Sequence, residues 1–258
     1  MLNNICNASW KYQKKIRKST EFLLQKFGIS YFGVQRITTN GRWSLVTNNP
    51  VWVEHCANEK FYQHDPTLVH PDYYQAGVSF VSAHPNPDFR NTLLKTAADK
   101  FDMDHCLAVI DKNDQYSEFA FFATSCNNTK IISTYVSQFT VLRQFVRYFK
   151  SENRRAFLCA ENDGIDLLHL KQNAYFDNQH IVDCSSEYVE NNAEPMSPNL
   201  SLREQQCLNY LLAGKTAKEM AKYLNLSYRT VEEYIANLKE KLGCRHLHDL
   251  FVLFKDKL

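Results

Sequence analysis

The chain has 258 residues with a formal net charge of +2, 44% apolar and 22% charged residues, and only seven glycines and seven prolines. This composition excludes a low-complexity or fibrous chain, and no run of about 18 apolar residues is present that could cross a bilayer as a helix. The length leaves room for one large domain or two smaller ones, each with a buried core.

The first candidate element is a helix in which Tyr12, Ile16, Leu23 and Phe27 share one face and Gly28 supplies the stop. Its other face carries Lys11, Lys14, Lys15, Arg17 and Lys18, the pattern of a solvated surface. Two aromatic and β-branched runs follow, Ser30–Thr38 and Arg42–Thr47. Thr39-Asn40-Gly41 between them predicts a tight hairpin, because Asn-Gly tolerates positive φ. A strand is expected near Val78–Ser82, and Asn86-Pro87-Asp88 then opens a helix with Phe89, Leu93, Leu94, Ala97 and Phe101 on its apolar face. Cys106–Ile110 and Ser117–Thr124, joined through Lys112-Asn113-Asp114, predict a second hairpin. One long helix is expected from about Thr129 to Lys150. Helices flanking an antiparallel sheet of about five strands make an α/β/α sandwich, a fold that either holds a small molecule or is packed solid.

The acidic, proline-bearing stretch EYVENNAEPMSPN has no periodicity and reads as a linker. The expected division is a sensor domain over 1–185, a linker over 186–199 and an all-α domain over 200–258. From Leu200 to Leu258 ten Lys/Arg stand against seven Asp/Glu, a net of +3; elsewhere 20 basic residues stand against 21 acidic ones. The C-terminal part is therefore the one expected to meet anions.

In that part the helix signals are dense. Ser201-Leu-Arg-Glu204 and Thr216-Ala-Lys-Glu219 are capping boxes, and Ser227 caps a third helix with Val231, Tyr234, Ile235, Leu238 and Leu242 on one side. A fourth is expected over Leu247–Lys255. Two helices joined by a short turn, the second carrying Arg229 on its first turn, describe a helix-turn-helix. Periodicity alone leaves a small helical bundle for protein contacts equally open.

The run LSLREQQCLNYLLAGKTAKEMAKYLNLSYRTVEEYIANLKEKLGC resembles the DNA-binding domain of the LuxR family of bacterial transcription regulators. The resemblance implies a four-helix unit whose third helix enters the major groove of double-stranded DNA, working as a homodimer on a two-fold-related site, with RNA polymerase as a further partner. Phosphate attraction is expected from Lys215, Thr216, Lys218, Arg229, Lys239, Lys241 and the helix ends; Ser227, Thr230, Glu232, Glu233 and Asn237 complete the expected DNA-binding set, with Arg229 also a candidate base contact. Glu232 stands where relatives commonly have a basic residue. A carboxylate there suits a helix N-terminus, and it also suits a hydrogen bond from a cytosine amino group.

The stretch Pro50-Val-Trp52-Val-Glu-His-Cys56 through Tyr62-Gln-His-Asp65-Pro66-Thr67 is similar to the autoinducer-binding domain of the quorum-sensing branch. By that resemblance Trp52 donates to the lactone carbonyl of an N-acyl homoserine lactone and Asp65 accepts its amide N–H. A buried amide needs one donor and one acceptor. The pattern departs at Asn48 and Cys56, where the branch has tyrosines, at Phe80, where it has a second tryptophan, and at Gly77, where it has proline. The expected ligand-binding set is Trp52, Asp65, Asn48, Cys56 and Phe80, around a pocket of altered shape and polarity. Two readings of the N-terminal domain stay open: a sensor of a small apolar signal, or a ligand-independent dimerisation or interaction module.

Enzymatic constellations are not legible. No Gly-rich phosphate loop or nucleophile elbow occurs, and His55, His64, Asp65 and His70 have no compact metal spacing. The eight cysteines form no C-x-x-C pair, and the opening MLNNICNASWKYQKKIRK has no signal-peptide core. A cytoplasmic protein without metal, cofactor or membrane contact is expected.

Overall fold

The computed structural model describes residues 4–84, 86–175, 200–212 and 215–242. The predicted linker and the predicted fourth C-terminal helix lie outside these. Helices α1 (Asn7–Lys11) and α2 (Gln13–Phe27) lead into strands β1 (Ile29–Thr38) and β2 (Arg42–Thr47). Helix α3 (Pro50–Asn58), strand β3 (Gly77–Phe80), helices α4 (Pro87–Phe89) and α5 (Lys95–Phe101), and strands β4 (Asp104–Lys112) and β5 (Tyr116–Thr124) follow. Then come α6 (Ile131–Ser137), α7 (Phe139–Glu152), α8 (Arg154–Asn162), β6 (Ile165–Asp166) and α9 (Leu167–Lys171), and C-terminally α10 (Leu202–Leu212), α11 (Ala217–Tyr223) and α12 (Tyr228–Lys241).

The sheet has the order β3-β4-β5-β1-β2-β6, with every neighbouring pair antiparallel. The expected antiparallel sandwich is thus present, with one strand more than the sequence showed. Gly28 ends α2 in the left-handed region at φ 69°, and Gly41 turns the first hairpin at φ 81°.

Strand alternation sends side chains to two separate cores. Phe32, Val34, Leu107, Val109, Ala120 and Phe122 pack under α2, α6 and α7, with Phe32 ringed by Phe122, Phe145 and Phe149. Tyr31, Ile37, Trp43, Leu45, Ala108 and Phe119 face the opposite way, toward α3 and α4–α5. On the first face Glu118, only 3% exposed, takes both Arg36 and Lys150 as ion-pair partners.

Two predicted helices are interrupted. The one expected over Thr129–Lys150 is two helices, α6 and α7, because Gln138 leaves helical geometry at φ −112°, ψ 16°. The one opened by Asn86, whose Oδ1 accepts the Phe89 N–H, contains a π turn over Arg90–Leu94. Wide turns of this kind insert one residue and re-aim the side chains around them, often beside a binding site.

Candidate ligand cavity and nucleic-acid interface

Between the second sheet face and the α3, α4 and α5 helices lies a cavity of about 130 Å³. Asn49 starts α3 by accepting the Trp52 N–H at 3.2 Å, and Pro50 occupies the first turn, where its missing N–H costs nothing. This fixes the helix so that Trp52, Val53, Cys56 and Ala57 line the space. The Trp52 indole packs edge-on against Phe101 at 4.9 Å. Phe89, Leu93, Leu94 and Ala97, the apolar face of the interrupted helix, form a second wall.

Asp65 closes one end. Its Oδ1 accepts the Thr67 N–H at 2.8 Å and the Thr67 hydroxyl at 2.6 Å, an Asx turn held in place by Pro66. Gln35 from β1 donates to Thr67 Oγ1 at 3.0 Å, tying this loop to the sheet. Burial pushes the Asp65 carboxyl above the ordinary carboxylate range, against the two hydrogen bonds from Thr67 and the charge of Lys171. None of the described residues lining the cavity is Lys, Arg or His. The surroundings therefore favour a neutral guest carrying a hydrogen-bond donor for Asp65, and disfavour an anion.

Of the expected ligand residues, Trp52, Asp65 and Cys56 meet at this cavity. Asn48 and Phe80 are not brought to it. Asn48 Oδ1 accepts the Phe32 N–H and its Nδ2 donates to Ser30 O, so the side chain is spent on pinning β1. Phe80 is fully buried on the opposite sheet face, near Tyr135. Sequence reasoning passed over Tyr31, Gln35, Trp43 and Ser82, which line the cavity. Trp43 Nε1 and Ser82 Oγ are buried there without a hydrogen-bond partner. The alternation of Tyr31 with Gln35 along β1, and of Trp43 with Leu45 along β2, was the available signal.

The lining thiols Cys56 and Cys106 are both held protonated, because burial raises their pKa above the thiol range. Cys6, hydrogen-bonded to Pro50 O, is pushed up to about 12 by burial and by Glu54.

In the C-terminal region both capping boxes form. Ser201 exchanges hydrogen bonds with Glu204 at the start of α10, and Thr216 with Glu219 at the start of α11. The Thr216 bonds hold the Glu219 carboxyl below its usual range. Asn225 takes the left-handed conformation at φ 50° in the turn between α11 and α12. Ser227 Oγ accepts the Thr230 N–H at 3.0 Å and starts α12. Val231 and Leu238 are buried, which leaves Arg229, Glu232, Glu233 and Asn237 on one open stripe of the helix.

The charges on this surface are not equally free. Arg229 pairs with Glu233 at 3.7 Å, with both side chains largely exposed. Glu232 hydrogen-bonds Tyr228 and raises its phenol pKa. Lys215 lies over the Tyr223 ring at 5.5 Å, and Lys218 is open to solvent. Lys239 is half-buried beside the open stripe, and Lys241 is paired with Glu204 at 2.8 Å.

Residues 198–254 match the family described as bacterial regulatory proteins, luxR family. Transcriptional regulatory protein TdiR of Thauera aromatica is 43% identical over 51 residues, which make up 20% of this chain and 22% of that protein. Uncharacterized response regulatory protein YgeK of Escherichia coli is 41% identical over 71 residues, 26% of this chain and 44% of that protein. The chain spans less than half the length of either relative. Among solved structures, Escherichia coli SdiA superposes with a TM-score of 0.40 at 19% identity, covering 93% of this chain and 89% of that one. SdiA in complex with octanoyl-rac-glycerol gives a TM-score of 0.39 at 19% identity, covering 93% and 86%. No described helix is long and apolar enough to cross a membrane.

Proposed function

We propose, for a chain whose C-terminal region is a LuxR-family DNA-binding domain, that the N-terminal part senses a small apolar molecule and thereby modulates dimerisation or DNA binding. The sensor is residues 1–185, the linker 186–199 and the DNA-binding domain 200–258. The chain acts as a cytoplasmic homodimer on a two-fold-related DNA site, with RNA polymerase as a further partner. The open stripe on α12 reads bases through Arg229 and Asn237, with Glu232 and Glu233 selecting against some sequences. Lys215, Thr216, Lys218, Ser227, Thr230 and Lys239 are the phosphate-side and first-turn contacts.

The observation that carries the sensing reading is a largely apolar cavity lined by two carboxyl groups, Asp65 and Asp104, whose pKa values are both raised by burial, and by no cation among the described residues. An apolar cavity near 150 Å³ holds a guest of roughly benzene size. The space of about 130 Å³ under Trp52 thus takes a ring or a short chain as it stands. A longer guest, such as an N-acyl homoserine lactone, requires its walls to move.

Thermal unfolding of the intact chain against a panel of neutral amphiphiles tests this, with N-acyl homoserine lactones of several chain lengths included. A guest that binds only the folded state stabilises it by about 2.7 kcal/mol at a hundredfold excess over Kd. The melting temperature should rise for at least one chemical class, and Trp52→Ala and Asp65→Ala should each abolish the rise. A panel without effect favours the ligand-independent interaction module.

A further inference from the structure

We propose that Asn209 clasps the DNA-binding domain to the wall of the cavity, so that filling the cavity and placing α10–α12 are one coupled equilibrium. The inference rests on the sensing function proposed above and names its route of regulation.

Strand β3 is an edge of the sheet: on one side it pairs with β4, and on the other its backbone groups need another partner. At Phe80 that partner is the side chain of Asn209 on α10. The Phe80 N–H donates to Asn209 Oδ1 at 3.0 Å, and Asn209 Nδ2 donates to the Phe80 carbonyl at 3.4 Å. A primary amide presents donor and acceptor side by side, as a neighbouring strand would, and so it completes both edge groups of one residue. Asn209 lies between Leu208 and Leu211, which belong to the same buried core as Phe80 and reinforce the seat. Helix α10 also rests on the turn over Val81–Ala83 that follows the strand.

That turn is part of the cavity wall. Val81 and Ser82 line the cavity, one and two residues after the clasped Phe80, while the Phe80 ring points to the opposite face. The Ser82 hydroxyl is buried without a hydrogen-bond partner, so a guest bearing a polar group gains a bond by engaging this segment. A guest larger than the resting cavity displaces walls, and this wall cannot shift without altering the Phe80–Asn209 bonds. By linkage, whatever holds the clasp also changes the affinity of the cavity.

The clasp positions the DNA-binding domain without covering it. Arg229, Glu232, Glu233 and Asn237 stay exposed while Asn209 is engaged. The coupling therefore acts on where the reading helix sits, the variable that matters when two helices must meet half-sites one DNA turn apart.

Hydrogen exchange on the intact chain tests the proposal without a known guest or operator. Asn209→Leu preserves bulk and removes both bonds; Asn209→Asp keeps the acceptor for the Phe80 N–H and loses the donor. Exchange over residues 78–83 should rise about fivefold in Asn209→Leu, the factor one ordinary hydrogen bond represents, and less in Asn209→Asp. Ala57→Leu, which fills the cavity from the α3 side, should alter exchange over residues 202–212 by about twofold or more, and that effect should vanish when combined with Asn209→Leu. Unchanged exchange at residues 78–83 in Asn209→Leu overturns the clasp. An Ala57→Leu effect on residues 202–212 that is absent, or equal in both backgrounds, overturns the coupling. Should Asn209→Leu not fold, Asn209→Asp carries the same comparison. Selection of duplexes from a random library by the wild-type chain is the separate arm: failure to retain any sequence brings down the DNA-reading function, whatever the exchange shows.

Discussion

Lys241 Nζ lies 2.8 Å from Glu204 Oε2, so the last turn of α12 is fastened to the first turn of α10. The same carboxylate oxygen accepts the Ser201 N–H at 2.6 Å, and Glu204 is only 3% exposed. One buried carboxylate thus serves as helix cap and as clamp between the ends of the reading unit. Glu204→Gln preserves a cap acceptor and removes the charge partner, and should destabilise the C-terminal unit by about 2 kcal/mol in urea unfolding of the intact chain. Glu204→Ala removes both functions and should cost more. Equal stability of the two variants would show that the cap adds nothing beyond the ion pair.

Lys241 was expected to meet phosphate, and its commitment to Glu204 reduces the charge it can offer. Lys241→Gln should therefore change the salt slope of DNA binding less than Lys218→Gln does. Lys218, open to solvent, would contribute about one unit of slope if it contacts phosphate.

Arg229 has 90% of its side chain exposed, so truncating it leaves the fold intact. Arg229→Ala should weaken binding to a selected duplex by about tenfold or more, and relax preference at one base position. Equal affinity in the folded variant would remove Arg229 from the reading surface.

Glu233 holds the Arg229 guanidinium at 3.7 Å in a solvent-exposed pair that stabilises the helix little. Glu233→Gln should leave the melting temperature nearly unchanged, raise affinity for non-specific duplex, and steepen the salt dependence. That outcome is expected if the glutamates brake indiscriminate binding. A variant with the wild-type salt slope would refute that role.

The Asp65 carboxyl has its folded-state pKa raised above the ordinary value of 3.8. The folded chain therefore binds the extra proton, and Asp65 contributes stability that is fully present below about 3.8 and lost as pH rises through the raised value. Asp65→Asn should consequently be more stable than wild type at neutral pH, with the advantage shrinking as pH falls through that window. Melting temperatures of the two chains between about pH 4 and about pH 7.5 decide it. A constant difference across the range would assign the effect to the Thr67 hydrogen bonds instead.

Local chemistry was readable wherever it determined structure by itself. Asn40-Gly41 made its hairpin, Asn86 and Ser227 capped their helices, and Glu219 closed its capping box. The spacing of Trp52 and Asp65 led to the cavity because a capped helix and an Asx turn fix both. What stayed hidden depends on phase and on distant partners. Phe80 was expected in the cavity, but Val78 and Phe80 share the face under α6, and only the turn after the strand brings Val81 and Ser82 across. A bulge in β4, with His105 at φ 53°, shifts its register in a way that alternation does not announce. Strand β6 has two residues and gains its identity from pairing with Arg42 and Trp43.

The protonated thiols in the cavity wall give the chain a built-in stopwatch. Alkylating reagents attack thiolates, and the partial burial of Cys56 and Cys106 against the cavity raises their pKa and keeps them as slow-reacting thiols. Their modification rate under a pulse of maleimide would thus count how often the cavity opens, residue by residue, without any reporter being introduced. A guest that seals the space should stop that clock, while one that props it open should make it run faster.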